Sequence, residues 1–305
     1  MRRIVWIVVG LIVVAVLAFW LILIPMQVGK PQREAITATP ASVGLAYQDV
    51  AFPSRDDKLT IRGWWMPAQN PRGILILVHG AGSNRQDKYS GGLPISAFLV
   101  KREHISVLSP DMRNHGTSDG SPDGRMTIGV TEARDVTGAI DFATAKNPGV
   151  PVYVLGASMG GATAIYAAAA DKRIQRIVLI DPVLNVHSTS LRFVHATLHT
   201  PGWITAPIVW NAVHLFGTGQ HAVIPLRVAA NLKLPILLIS DVEDPVCPTR
   251  FAHKLAARNS HVTLWTVPDP GPNTPGVDRS GFGTHTAAYR FHPDELKAKL
   301  DAFLQ

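Results

Sequence analysis

Val152-Tyr-Val-Leu-Gly-Ala-Ser-Met-Gly-Gly161 runs into Ala162-Thr-Ala-Ile-Tyr-Ala-Ala-Ala-Ala170. An apolar β-type run, Val152 to Leu155, enters Gly156-Ala157-Ser158-Met159-Gly160. An alanine-rich helical stretch leaves it. Gly-x-Ser-x-Gly between a strand and a helix is the pattern of a turn that lifts a serine hydroxyl out of a sheet. Side chains at Gly156 and Gly160 would collide with neighbouring backbone, so glycine suits both positions. A bland strand-to-helix turn that happens to hold a serine is the competing reading. The flanking strand and helix, both required by the motif, weigh against it.

The chain on either side supports a parallel sheet. Tyr47–Phe52 and Leu59–Met66 read as a hairpin around the polar turn 54–58. Ile74–Val78 is a continuous apolar run ending in His79-Gly80-Ala81-Gly82. A helical stretch near 93–101, a strand 105–109 and a helical pattern over 127–145 follow. After 152–170 come strands at 177–180, 236–239 and 262–267, with helices near 249–257 and 293–303. Alternating apolar strands and helices predict an α/β fold with a mostly parallel sheet covered on both faces. Residues 184–233 break the alternation and read as an insertion of short helices. Extra core packing and a lid with Trp203, Trp210, Leu215 and Phe216 as pocket walls are both open.

The 305 residues are ample for a sizeable core, and 47% are hydrophobic. Ile4–Ile24 holds no charge and is long enough to span a bilayer as a helix. It exceeds the roughly 7–15 residues of a cleavable signal and lacks a small-residue cleavage site after it. Residues 1–24 therefore read as an uncleaved anchor, 25–44 as a Pro-containing linker and 45–305 as the domain. Arg2 and Arg3, against Lys30 and Arg33 offset by Glu34, favour a cytosolic N-terminus and an extracytoplasmic domain. The net charge of +7 is scattered, without the basic stripe a nucleic-acid site needs. It suits a domain beside anionic headgroups. One cysteine, Cys247, excludes an internal disulfide and a Cys-based zinc site.

A serine hydroxyl needs an imidazole to take its proton, and the imidazole needs a carboxylate to orient it. Behind such an elbow the order is serine, acid, histidine. Asp244 follows the strand at 236–239, where groups gather at strand carboxyl ends. Asp181 after the strand at 177–180 is a rival, with Glu243 and Asp241 behind it. A loop or cap role is the alternative for each. Among twelve histidines, His285 lies between the last strand and the last helix. His292 reads as a cap, and His187, His195, His199, His214 and His221 fall in the insertion. Two backbone amides usually hold the oxyanion. The residue after the serine, Met159, supplies one, and the loop after the first parallel strand supplies the other, at Ala81. His79 reads as a loop-positioning residue.

These segments match a family. From Tyr47 onward the chain resembles the α/β-hydrolases, in their serine-hydrolase branch. The matching residues are His79–Gly82, Asp111-Met-Arg-Asn-His-Gly-Thr-Ser118, Gly156–Gly161, Asp244-Pro-Val246 and His285. The resemblance implies eight strands, Ser158 as nucleophile, His285 as base and Asp244 as acid. It also implies an acyl-enzyme on an ester, thioester or amide, with no metal or organic cofactor. Asp111 and His115 belong to a segment that is structural in relatives, where glycine often replaces Asn114. Serine at the elbow argues against dehalogenases and epoxide hydrolases, which resemble this fold but use aspartate there. Two departures are the long segment 268–282 and Ser240-Asp241 in place of a Gly-rich turn. The expected protein is a membrane-anchored carboxylesterase or lipase-like enzyme on small or lipid-like acyl substrates. A peptidase, an acyltransferase and a silent binding module are the alternatives.

Overall fold

In a computed structural model, residues 1–216, 224–271, 273–277 and 281–305 are described. His221, and residues 272 and 278–280 of the segment before His285, lie outside the described residues. The strands are β1 Gln48–Pro53, β2 Thr60–Met66, β3 Gly73–Val78, β4 Ile105–Pro110, β5 Val152–Ala157, β6 Ile174–Ile180, β7 Ile236–Asp241 and β8 Val262–Val267. They form one eight-stranded sheet in the order β1-β2-β4-β3-β5-β6-β7-β8. β2 pairs antiparallel with β1 and β4, and the sheet from β4 through β8 is parallel.

Period-2 alternation explains why both faces are covered. In β3, Ile74, Ile76 and Val78 join one buried cluster and Leu75 and Leu77 the other. β5 repeats this, with Val152 and Val154 on the first face and Tyr153, Leu155 and Ala157 on the second. The N-terminal helix comprises α1 Arg2–Ala18, a π-helical turn Phe19–Leu23 and α2 Ile24–Gln27. The domain helices are α3 Gly92–Lys101, α4 Glu132–Lys146, α5 Met159–Ala170, α6 Val186–Leu198, α7 Gly202–His214, α8 Pro225–Ala229, α9 Thr249–Ala256, α10 Ala288–Phe291 and α11 Pro293–Leu304. Leu93 and Leu99 of α3 and Leu296 and Leu300 of α11 pack on the second face. Val136 and Ile140 of α4, Ala164 and Ile165 of α5 and Leu255 of α9 pack on the first.

Arg2–Gln27 is a 26-residue apolar helix, long and apolar enough to cross a membrane. Beyond it the linker adheres to the domain. Arg33 donates to the carbonyls of Gly116 and Ser118 at 2.7 Å each, and Thr37 N–H donates to Gln86. α4 begins at Glu132 rather than near Thr127. Ile128 (φ 52°) and Gly129 (φ 101°) are left-handed there, and the buried Glu132 carboxylate accepts the Thr127 and Gly129 amides. Residues 184–233 form α6, α7 and α8 where they are described.

Gly138 on α4 shows how closely helix and hairpin meet. A Cβ there would lie 2.3 Å from the Pro53 carbonyl oxygen. Helix propensity alone would make Gly138→Ala stabilising by about 1 kcal/mol. The clash is with backbone, which has no rotamer to yield, and overpacking costs about 1–3 kcal/mol. Gly138→Ala is therefore expected to lower the thermal midpoint, and a raised midpoint would refute this packing account.

Candidate active site

The elbow is built from backbone crowding. A Cβ at Gly156 would lie 2.1 Å from the Gly160 carbonyl oxygen, and one at Gly160 would lie 2.1 Å from the Val78 carbonyl oxygen. With no side chain at either place, β5, α5 and β3 approach backbone to backbone. Ser158 is left with φ 53° and ψ −116°, a strained setting for a non-glycine residue. Its amide donates to Ile180 O at 2.9 Å, and its carbonyl accepts the amide of Val183 at 3.1 Å. The strain is thus held by β6 and the loop after it.

Three sequence-predicted residues meet in one chain of hydrogen bonds. His285 Nε2 is 2.9 Å from Ser158 Oγ, and His285 Nδ1 is 2.7 Å from Asp244 Oδ2. A carboxylate only accepts, so Nδ1 carries the proton and Nε2 is free to accept from the serine hydroxyl. The Asp244 side chain is fully buried, and its Oδ1 accepts the amides of Val246 and Cys247 at 2.7 and 2.9 Å. Burial by itself pushes the His285 pKa down. The charge of Asp244 and its hydrogen bond outweigh this, so the net shift is upward.

The rival acids occupy other places. Asp181, left-handed at φ 42°, accepts the Asp241 amide at 2.8 Å and the Thr286 amide at 2.9 Å. It ties the ends of β6 and β7 to the histidine loop without meeting the imidazole nitrogen bonded to Asp244. Burial, then the neighbouring Asp181 carboxylate, raises the pKa of Asp241, which favours its protonated form. Glu243 is exposed. His292 precedes α11 but makes no side-chain cap; its Nε2 is 3.1 Å from Pro268 O.

The loop 79–82 is clamped by two histidines. His79 Nδ1–H donates to Gly80 O at 2.7 Å, and its Nε2 accepts from the Met112 amide at 3.0 Å. His115 Nδ1–H donates to Arg113 O at 2.8 Å, and its Nε2 accepts from the Gly82 amide at 3.1 Å. Burial, followed by neighbouring His79, pushes the His115 pKa down to about 3, so His115 stays neutral in this role. Gly80 backs directly onto Ser158, since a Cβ there would stand 3.3 Å from the Ser158 Cβ. Among the described residues no acceptor meets the amides of Ala81 or Met159.

Asn114 is left-handed (φ 67°), and its side-chain amide accepts from Ser121 N–H and donates to Arg125 O. The contribution of Arg33 to this loop was hidden in the sequence, because nothing local marks a linker arginine as the partner of carbonyls 82 or more residues away. A cavity of ≈ 760 Å³ opens onto His285 between Tyr89, Leu93, Phe282 and Tyr289. The candidate wall residues of the lid reading are not among its lining residues. Trp203, Trp210 and Leu215 are 78%, 50% and 62% exposed, and Phe216 lies under the Arg125 guanidinium. α7 spends its Ile208, Val209 and Val213 face on α6 and the N-terminal helix, which turns the tryptophans outward.

Asp244, Cys247 and His285 present ligand atoms within 4.8 Å of one another. They fit a metal poorly: Asp244 and His285 already bond each other, and burial pushes the Cys247 thiol pKa up, away from the thiolate a metal requires.

An esterase of Pyrococcus furiosus, Pf2001, superimposes with TM-score 0.72 at 24% identity, covering 90% of this chain and 96% of that one. Est1E of Butyrivibrio proteoclasticus, bound to ferulic acid, gives 0.62 at 16% identity, covering 84% and 98%. The fold is the α/β-hydrolase fold. A family model described as serine aminopeptidase, S33, matches residues 69–212. Human monoglyceride lipase is 31% identical over 158 residues, 50% of this chain and 49% of that protein. The thiohydrolase aneE of Aspergillus aculeatus is 30% identical over 142 residues, 45% of this chain and 42% of that protein. The chain spans about half the length of the curated relatives it matches.

Gly160→Ala tests the elbow. The Val78 carbonyl cannot move without disturbing β3, so the substitution is expected to cost at least about 2 kcal/mol. Chemical denaturation reads this out, and an unchanged midpoint would mean that β3 and α5 are less tightly joined than described.

Proposed function

We propose that this α/β-hydrolase is a membrane-anchored serine hydrolase that cleaves carboxylic esters of apolar, lipid-derived acyl groups. The observation that carries the reading is the hydrogen-bond chain from Ser158 through His285 to Asp244. Names of relatives add support: monoglyceride lipase, thiohydrolase and protein phosphatase methylesterase all refer to acyl-type bonds. The apolar helix Arg2–Gln27 supports the anchor, and Arg2 and Arg3 support an extracytoplasmic domain.

In this mechanism Ser158 Oγ attacks the acyl carbonyl while His285 Nε2 takes its proton. The carbonyl π electrons move to oxygen, and the amides of Ala81 and Met159 stabilise that oxyanion. The tetrahedral centre collapses, the bond to the leaving alcohol breaks, and His285 returns the proton to it. Water then attacks the acyl-Ser158 ester with His285 again as base, releasing the carboxylic acid and the free serine. Asp244 stabilises imidazolium throughout. The family model's description favours one second reading, an aminopeptidase using the same residues.

A fluorophosphonate probe is expected to label the intact chain and to leave Ser158→Ala unlabelled; equal labelling of the two would sink the proposal. Asp244→Asn is expected to lower kcat by about 10⁴-fold, and Asp181→Asn far less. The reverse order would make Asp181 the acid. Chain-length panels of p-nitrophenyl esters, set against aminoacyl anilides, separate esterase from peptidase.

The pH dependence has a definite sign. Neutral His285 is the base, so kcat/KM rises as pH climbs through its pKa. Asp244 holds that pKa above the ordinary value of about 6.5, which moves the midpoint of the acid limb upward. In Asp244→Asn burial is opposed only by the charge of Asp181, and the midpoint of the residual activity is expected to move down. A profile flat between about pH 5 and pH 8 contradicts this assignment of the base.

A further inference from the structure

The end of the N-terminal helix is not a free tether. Trp20, Ile24 and Val28 pack on the buried cluster Val194, Ile208, Val209 and Val213 of α6 and α7. A polar contact fixes the register. Pro25 has no N–H, so the Leu21 carbonyl four residues earlier loses its helical donor. Asn211 Nδ2 of α7 donates to that carbonyl at 2.6 Å. Arg125 Nη2, from the domain side, donates to Met26 O at 2.7 Å. Helix end and helical insertion are therefore one packed unit.

The outer face of that unit has an unusual composition. From Pro182 to Leu226, Arg192 is the sole residue with a formal charge, histidines aside, whereas 17% of the whole chain is charged. On α7, Trp203, Ala206 and Trp210 recur at helical spacing on the exposed side, with Leu215 just beyond. Trp210 stacks on His214. No carboxylate lies in this stretch to be repelled by anionic lipid. Tryptophans exposed in this way suit the headgroup boundary, where an apolar ring with one N–H donor is at home.

We propose that α6 and α7 lie on the bilayer that the N-terminal helix crosses, with Trp203 and Trp210 seated in its interface. The inference rests on the reading of Arg2–Gln27 as a spanning helix. It follows that the catalytic domain is held at a set orientation, cap toward lipid, and draws membrane-partitioned esters from the leaflet. The bilayer is the occupant favoured here because the apolar face is continuous with the helix that enters it. Lys172 is exposed just before the amino end of β6, whereas the insertion follows the carboxyl end of that strand.

The test uses the full chain in phosphatidylcholine vesicles carrying brominated acyl chains. An NBD fluorophore is placed on Ala206→Cys or, as reference, on Lys172→Cys; the native Cys247 is buried. Strong quenching at 206 with little at 172 is the expected result, and equal quenching at the two sites overturns the proposal. Trp203→Ser/Trp210→Ser is then compared with the native chain. Hydrolysis of a long-chain monoacylglycerol in the vesicles is expected to fall at least about tenfold, with p-nitrophenyl acetate hydrolysis changed less than about twofold. A parallel fall in both, or in neither, counts against the proposal. If the native chain hydrolyses neither substrate, the hydrolase reading fails, while the quenching contrast still decides the docking. If alkaline carbonate extracts the chain, the spanning reading fails and the docking falls with it.

Discussion

The absence of Cβ atoms at Gly156 and Gly160 is the constraint on which the site depends. It lets the β3, β5 and α5 backbones come within contact of one another, so the turn has a single way to fit. Ser158 is forced into left-handed φ as a consequence, not as an independent choice. That conformation lifts the hydroxyl above the sheet and leaves the Met159 amide, at the start of α5, without an acceptor among the described residues. The same closeness brings Gly80 against the serine, which sets the Ala81 amide nearby. Strain of order 1–3 kcal/mol at one residue is affordable because buried sheet and helix on both sides over-determine the turn.

A second constraint is the crowding of carboxyl groups at the carboxyl ends of β6 and β7. Burial and then the charge of Asp244 raise the pKa of Asp181, and burial and then Asp181 raise that of Asp241. The fold separates them by partner. Asp244 receives two amides and the imidazole, Asp181 receives two amides, and Asp241 is shifted toward its protonated form. Left-handed Asp181 and Thr286 face each other across one hydrogen bond, so the loop that presents His285 is pinned from below. Orientation of the histidine is thereby shared between Asp244, which bonds the ring, and Asp181, which bonds the backbone beyond it.

Much of this was legible in the sequence for physical reasons. A buried parallel sheet needs continuous apolar strands, and Ile74–Val78 and Val152–Leu155 display them. A tight turn needs glycines, and Gly156 and Gly160 mark it. Chain order left Asp181 and Asp244 both open, because both follow strands; only three-dimensional hydrogen bonding distinguishes their partners. Other features leave no local trace. Arg33 reads as one linker charge among several, and its three carbonyl partners lie at 115, 116 and 118. The sequence left the tryptophans of α7 open between core packing and pocket walls, because aromatic residues in an insertion suit either. Their true direction depends on which face of α7 the N-terminal helix occupies, and periodicity carries no information about that partner.

The N-terminal helix is joined to the domain through α7. A proline near the end of an apolar helix is ordinarily a local defect, leaving one carbonyl without a donor. Here Asn211 fills that vacancy from α7, so the defect becomes the point where helix and domain lock together. Arg125 and Arg33 continue the same lock along residues 26–33 by binding or supplying backbone partners. An anchor that merely tethered the domain would need no such contacts, because a flexible linker of the same length would serve. Rigid attachment is useful only if the direction in which the domain faces matters. That requirement fits the proposed docking, in which substrate reaches the site from a bilayer past a helical pair whose sole formal charge, histidines aside, is Arg192.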